Sequence, residues 1–456
     1  MKSLRKIFFD RTDPEMQWGG MIGLGILLLG GMVLGNGCNS SSSSKHLSRS
    51  TYVSPNAEQN AEFGVSVASV GDIDADGVPD VLIGAPNETV GDSTEAGRAY
   101  LFSGSDDALL RTLVAPDSIG RVGFGGNVAG PGDINGDGTP DLLVGASGPT
   151  SAGRAYMFDG SSGEVLYTLT SPNSTSNGFF AVSSLTPVED VDGDGVKDLL
   201  IGGFGESRAY LFSGAEGEML HTLTSPDGGG AFGGATAGIG DLNGDGVTEL
   251  LVGAAAQTVN DMPWAGRAYV FSGASGTLLR KLTSPNAKAK GIFGYSVAGI
   301  GDVNKDNTPD YAVFARFENG GGPERAGRVY LYSGAKGTVL RTLASPNAEQ
   351  RGLFGYSLAG IGDITGDERA DLALTARKES VGDAEEAGRV YLIDGATGDS
   401  LQTLTSPNAG AKGQLGYSLS VIRPEDTSEA AGLLVGAYKE TVDSLQKAGR
   451  AYRFPL

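Results

Sequence analysis

Six short acidic segments carry the residues most able to do chemistry. In the first, Asp72, Asp74, Asp76 and Asp80 stand at positions 1, 3, 5 and 9, with Gly77 at position 6. The frame recurs as Asp133, Asn135, Asp137 and Asp141, as Asp190, Asp192, Asp194 and Asp198, and as Asp241, Asn243, Asp245 and Glu249. Weaker copies are Asp302, Asn304, Asp306 and Asp310, and Asp363, Thr365, Asp367 and Asp371. Asn307 and Glu368 replace the turn glycine in these two, and the sixth loop is left open as a site. Alternating oxygen ligands around a sharp turn suit Ca2+, a hard cation that takes about six to eight oxygens. The expectation is about five to six calcium sites. An EF-hand would need a Glu at position 12 and flanking helices. Position 12 is instead Ile83, Val144, Ile201, Val252, Val313 or Leu374. Without a cation, such crowded carboxylates repel one another; the plain alternative is a set of solvated turns.

These loops sit inside a repeat. Phe-Gly or its equivalent recurs at Phe63, Phe124, Phe180, Phe232, Phe293 and Phe354, with Leu415-Gly416 as the seventh. A period near 60 residues marks an array or propeller rather than independent domains. Within the sixth repeat, Phe354 to Gly362 is a first strand, Asp363 to Asp371 the acidic loop and Leu372 to Ala376 a second strand. Ala387 to Ile393 is a third strand and Ser400 to Thr405 alternates as an outer strand. Ser406-Pro407-Asn408 then breaks the run. The predicted fold is all-β: a seven-bladed β-propeller of four-stranded antiparallel blades. The seventh repeat ends after its third strand, and Ser50 to Ala57 aligns with Arg341 to Ala348. The N-terminal strand is therefore expected to close the ring, removing two sheet edges.

The Phe-Gly start, the acidic frame and the Gly-Ala after the second strand (Gly84-Ala85, Gly145-Ala146, Gly253-Ala254, Gly436-Ala437) resemble FG-GAP repeats, which form the propeller of integrin α subunits. The resemblance covers residues 50–456. It implies calcium in the loops between strands one and two on the lower face, and partner binding on the upper face. No inserted domain interrupts the repeats, and the seventh has Arg423-Pro424-Glu425-Asp426 where the frame should be. Similar repeats decorate bacterial surface proteins and some phospholipases, so the fold does not name a partner.

Composition sets limits. The 456 residues carry a net charge of −20, which argues against nucleic acid. One Cys excludes a disulfide framework, and two His, His46 and His221, leave little for His-dependent catalysis. Gly is 74 residues without a collagen period, and 39% apolar content supports a core.

Lys2, Arg5, Lys6 and Arg11 precede an apolar run from Met21 to Leu34, the size of a signal-peptide core. Cys38 and five serines follow. The segment resembles a bacterial lipobox, although Gly35 stands where Leu is usual. Residues 1–37 read as a lipoprotein signal peptide, 38–49 as a Ser-rich tether and 50–456 as the propeller. Lipidation of Cys38 and location on the bacterial envelope are the expectation; an uncleaved anchor is the alternative.

Arg98, Arg154, Arg208, Arg267, Arg328, Arg389 and Arg450 open every third strand. They could form a cation ring for an acidic ligand, but a repeat-wide residue usually serves the repeat, so a hydrogen bond or ion pair between blades is preferred. The tyrosines two residues later read as packing. The loops after strand two differ most between repeats and are the expected partner surface, with Met262 and Trp264 foremost. Trp264 could equally cover its own blade. The reading is a non-enzymatic, monomeric, calcium-stabilised surface propeller that binds a protein or glycan. An envelope hydrolase on the same scaffold is the alternative, as is a scaffold without a ligand. First strands such as Val65 to Val70 bring no acid, base or metal ligand to a channel.

Overall fold

The computed structural model describes residues 47–456 except 117–120, 147–152, 174–178, 320 and 424–429. Cys38, the leader, most of the tether and Pro424-Glu425-Asp426 lie outside the described residues. All the described regular structure is β, in seven four-stranded antiparallel sheets. Blade 1 holds strands Val67–Gly71, Asp80–Ala85, Arg98–Phe102 and Leu109–Leu113, from first to outer. Blades 2 to 6 repeat this order. Each first strand contacts the next around the ring, and the seventh, Leu419–Ile422, contacts Val67–Gly71.

Burial follows from the stacking of blades. Every second strand is buried along its whole length, as in Asp80–Ala85 and Leu250–Ala254, because a neighbouring blade covers each face. Outer strands such as Leu109–Leu113 are mostly exposed. Among the described residues there is no single core; seven hydrophobic clusters each fill a seam, one joining Leu82 and Leu101 of blade 1 to Val144 and Phe158 of blade 2. In most seams Phe of the Phe-Gly pair packs on two rings of the third strand. Phe63 lies 6.0 Å from Tyr100 and 6.3 Å from Phe102, centroid to centroid.

The two recognisable pieces of the repeat touch across the seam. Gly84, in the Gly-Ala of blade 1, lies against the carbonyl of Gly125, in the Phe-Gly of blade 2. A Cβ on Gly84 would fall 1.9 Å from that oxygen. Gly436 of blade 7 meets Gly64 of blade 1 in the same way, also at 1.9 Å. Only a residue without Cβ permits backbones this close.

The N-terminal strand closes the ring as expected. Ser50–Tyr52 pairs antiparallel with Arg450–Pro455, with Ser50 opposite Arg453 and Tyr52 opposite Ala451. Arg453 departs from the repeat. The same register position holds Leu101, Met157, Leu211, Val270, Leu331 and Leu392 in the other blades. Its buried guanidinium donates to Ser48 O at 3.0 Å, Ser50 Oγ at 2.7 Å, Asp107 Oδ1 at 3.0 Å and the Gly104 carbonyl. One side chain thus fastens the N-terminal strand, blade 7 and blade 1 together.

Candidate functional site

Antiparallel order puts the loops between strands one and two at one end of the propeller, the lower face, beside the turns between strands three and four. All six acidic loops close alike. The position-1 Asp accepts the position-6 amide at 2.6–2.8 Å in every copy. That turn requires a left-handed residue, and Gly77 has φ +87°. Asn307 and Glu368 adopt the same conformation, each at φ +65°. The missing glycine therefore costs the sixth loop some strain but not its shape.

The position-9 acid does more than sequence reasoning assigned to it. Asp80 is fully buried. Its Oδ2 accepts Ile73 N at 2.8 Å and its Oδ1 accepts Gly104 N at 2.8 Å, from the turn between strands three and four. Asp141, Asp198, Asp310 and Asp371 make the same two bonds. Glu249 keeps the first, to Leu242 N. Position 9 is thus a clamp between two lower-face turns as well as a candidate ligand. Burial pushes Asp80 up to about 7, helped by Asp74 and Asp72 and opposed by the two amides. Burial likewise raises Asp198 and Asp310 to about 6. Asp141, Glu249 and Asp371 shift in the same direction. A divalent cation would favour the charged form of a carboxylate in this position.

The loops differ in how far their acids converge. Among the described residues, carboxylate oxygens of Asp72, Asp74 and Asp80 lie within 4.8 Å of one another, as do those of Asp190, Asp192 and Asp194, and of Asp241, Asp245 and Glu249. These hard-oxygen sets fit calcium. In the second loop Asn135 Nδ2 approaches Asp159 Oδ2 at 3.3 Å, and Ser161 Oγ reaches Asp137 at 3.0 Å and Asp159 at 2.7 Å, so the neighbouring turn adds oxygen groups. In the fifth, Asn304 Nδ2 donates to both oxygens of Asp310, at 3.1 and 3.0 Å. In the sixth, Thr365 Oγ1 donates to Asp363 at 3.2 Å. Lys305 and Glu368 pair between these last two loops.

Comparison with known proteins agrees with the repeat. The FG-GAP repeat model matches residues 63–102 and 124–158, and the FG-GAP-like repeat model matches 190–252. Integrin alpha-3 of Cricetulus griseus is 33% identical over 160 residues, 33% of this chain and 15% of that protein. Integrin alpha-2 of Bos taurus is 29% identical over 220 residues, 46% of this chain and 18% of that protein. Integrin alpha-IIb of Mus musculus is 36% identical over 163 residues, covering 33% and 16%. The chain thus spans less than a fifth of the length of these relatives.

This chain is an integrin-α-like FG-GAP propeller.

On the upper face of this FG-GAP propeller, the arginines that open third strands form ion pairs, as expected of repeat residues. Arg98 meets Glu88 at 3.1 Å, Arg450 meets Glu440 at 3.8 Å and Arg389 meets Glu379 at 3.9 Å. These pairs lie within a blade rather than between blades. The link between blades comes from the segment after the preceding outer strand. Ser54 and Tyr100 both donate to the buried Glu88, and Asn56 Nδ2 donates to Tyr100 OH at 2.9 Å. The junction recurs as Ser284, Asn286, Glu318 and Tyr330. The tyrosines are therefore hydrogen-bonding hubs as well as packing residues. Blade 4 moves the charge: Gln257 takes the Glu position, and Asp227 accepts Tyr269 OH at 2.9 Å and pairs with Arg267 at 3.7 Å. Sequence reasoning missed this junction. Its signal was a Glu ten residues before Arg in Glu88, Glu318, Glu379 and Glu440, preceded by a repeated Ser-Pro-Asn.

The variable loops carry short hairpins, with Val90 bridging Ser93, Val259 bridging Met262 and Val381 bridging Ala384. Met262 and Trp264 are half-buried. Trp264 has φ +57°, and its carbonyl accepts Ile292 N at 3.0 Å from the entry to blade 5. Glu95, Arg325, Glu386 and Lys447 hold the same left-handed backbone position. The Trp264 backbone therefore serves the repeat, and its indole is the variable part. His221 lies on an outer strand, where Nε2 approaches Ala274 O of the next blade at 3.3 Å. Arg111 fills that place in blade 1, donating to Gly160 O at 3.0 Å and Ser161 O at 2.9 Å, so this is a clasp between blades.

Proposed function

We propose that the chain is a calcium-stabilised, non-enzymatic binding module displayed on a bacterial surface, contacting a protein or glycan through upper-face loops. The observation that carries it is the division of labour between the two ends. The lower face repeats one acidic, cation-ready loop six times, while the upper face sets variable loops on a repeated backbone frame. Five to six calcium ions would offset about half of the negative charge of these loops, held by the residues at positions 1, 3, 5 and 9. Metal analysis should find several calcium ions per chain, and excess chelator should lower the melting temperature. An unchanged melt would refute the calcium reading.

Cys38 is proposed to carry the lipid that tethers the module. Replacing Cys38 with Ser should move the protein from the membrane fraction to the soluble one. Continued retention would favour residues 21–34 as an uncleaved anchor.

For binding, pull-downs with and without calcium should recover a partner only from the calcium-loaded protein. Trp264→Ala should then reduce capture by about tenfold or more, the loss typical of an interface anchor, with an unchanged melt. A lowered melt with capture intact would assign the indole to packing.

A further inference from the structure

Blades 5, 6 and 7 share a feature that blades 1 to 4 lack. Two residues after the Phe of each Phe-Gly or equivalent, at the upper end of the first strand, they carry Tyr295, Tyr356 and Tyr417, where the other blades have Val65, Gly126, Val182 and Gly234. Ring centroids are 5.7 Å apart from Tyr295 to Tyr356 and 5.3 Å from Tyr356 to Tyr417, a continuous arc across three blades. Arg377, just beyond a second strand, lies over this arc, its guanidinium carbon 4.2 Å from the Tyr356 centroid and 5.2 Å from that of Tyr417. Residues that every blade shares serve the repeat; residues that three adjacent blades share against the repeat serve something else.

Arg377 is only 6% exposed. Among the described residues its one hydrogen-bonded side-chain partner is the neutral Gln414, and its Nε is buried with no acceptor. Glu386 accepts from Gln414 at 3.0 Å and Glu62 acts on Tyr417, but neither carboxylate is bonded to the guanidinium itself, and a buried cation without a direct carboxylate partner favours binding one. The ring faces are already covered by Arg377 and by neighbouring tyrosines, so no open platform remains for a sugar face. What the arc offers an acceptor is the Arg377 guanidinium, with its Nε unsatisfied, beside three half-buried tyrosines.

We propose that this tyrosine–arginine arc is a carboxylate-binding site at the upper mouth of the propeller, taking an aspartate or glutamate side chain of a partner polypeptide. The site deepens the binding role above and rests on the upper face being the partner face.

The test uses the full calcium-loaded chain and two blocked peptides, Gly-Glu-Gly and Gly-Gln-Gly, titrated while tyrosine resonances are followed. The Glu peptide should bind about tenfold tighter than the Gln peptide, the margin of a charge-assisted hydrogen bond. Arg377→Met should abolish that preference. Should that variant not fold, Tyr356→Phe keeps the ring, loses one hydroxyl and should weaken Glu-peptide binding by about threefold or more. Equal binding of the two peptides, or an unchanged preference in Arg377→Met, would overturn the site. A galacturonate oligomer that outcompetes the Glu peptide through Arg377 would overturn the polypeptide assignment. Peptide selectivity that is absent while pull-downs succeed removes the arc alone. Peptide selectivity that is present while pull-downs fail removes the wider binding reading alone.

Discussion

At the scale of single residues, the acidic loops contain two kinds of carboxylate. Asp74 is exposed and among the described residues accepts only the exposed Asp76 N, at 3.2 Å, whereas Asp80 is buried and clamps Ile73 N and Gly104 N. Their variants should therefore separate. Asp74→Ala should weaken calcium binding and leave the chelator-treated protein unchanged in stability. Asp80→Ala should destabilise the protein by about 3 kcal/mol even in chelator, because two buried amides lose their acceptor. Parallel denaturant titrations with calcium and with chelator give both numbers; equal effects of the two variants in chelator would contradict the clamp. Asp76→Ala should also lower calcium affinity more than Asp367→Ala, since the Asp76 loop gathers three other carboxylates and the Asp367 loop has Thr365 in the frame. Site-resolved calcium titration checks this ranking.

At the scale of the element, the junction between blades makes stability depend on pH. Burial raises Glu379 from 4.5 to about 7, and Tyr391, Ser345 and Arg389 offset only part of the cost. Glu318 and Glu440 are raised for the same reason. A carboxyl whose folded value lies above its unfolded value binds more protons when folded. Its stabilisation is complete below about 4.5 and is lost as pH rises through about 7. Glu379→Gln should remove that slope. The variant should match the parent near pH 4.5 and exceed it by about 2 kcal/mol at pH 8, measured by denaturant unfolding in chelator so that the calcium loops contribute equally to both. Blade 4 supports the expectation, because Gln257 already occupies the equivalent place. A variant less stable than the parent at pH 8 would show that the ionised carboxylate is needed.

At the scale of the whole molecule, closure depends on a strand only three residues long, Ser50–Tyr52. Three residues give few backbone bonds, and Arg453 adds hydrogen bonds to Ser48, Ser50, Gly104 and Asp107 at this edge. Arg453→Met restores the apolar side chain that blade 2 has at this register. It should keep the seam packed yet release the N-terminal strand, costing about 2 kcal/mol through lost hydrogen bonds. Hydrogen exchange at residues 50–52 should accelerate by about tenfold or more, while calcium content stays constant. Unchanged exchange would mean that strand pairing suffices.

The repeat made most of this fold legible before any coordinates. Small-residue first strands, apolar second strands and alternating outer strands are local patterns, and seven copies in one order leave little besides a propeller. The acidic frame was legible for the same reason, since its ligands lie within nine residues of one another. Ring closure by residues 50–57 followed from counting strands. The rest required residues distant in sequence to meet. Asp80 reads as a ligand until Gly104, across a blade, is seen to need its other oxygen. Glu88 reads as a loop charge until Ser54 and Tyr100 arrive from two different blades. Arg453 reads as one more cation until it is seen buried and bonded to Ser48, Ser50, Gly104 and Asp107. The tyrosines of blades 5 to 7 are identical letters in separate repeats, and only the ring sets them side by side beneath Arg377. Sequence determined what each repeat would build, because short-range pattern and turn chemistry act within a repeat. Tertiary structure decided what the seams hold, because burial and pairing there depend on which blades the ring brings into contact.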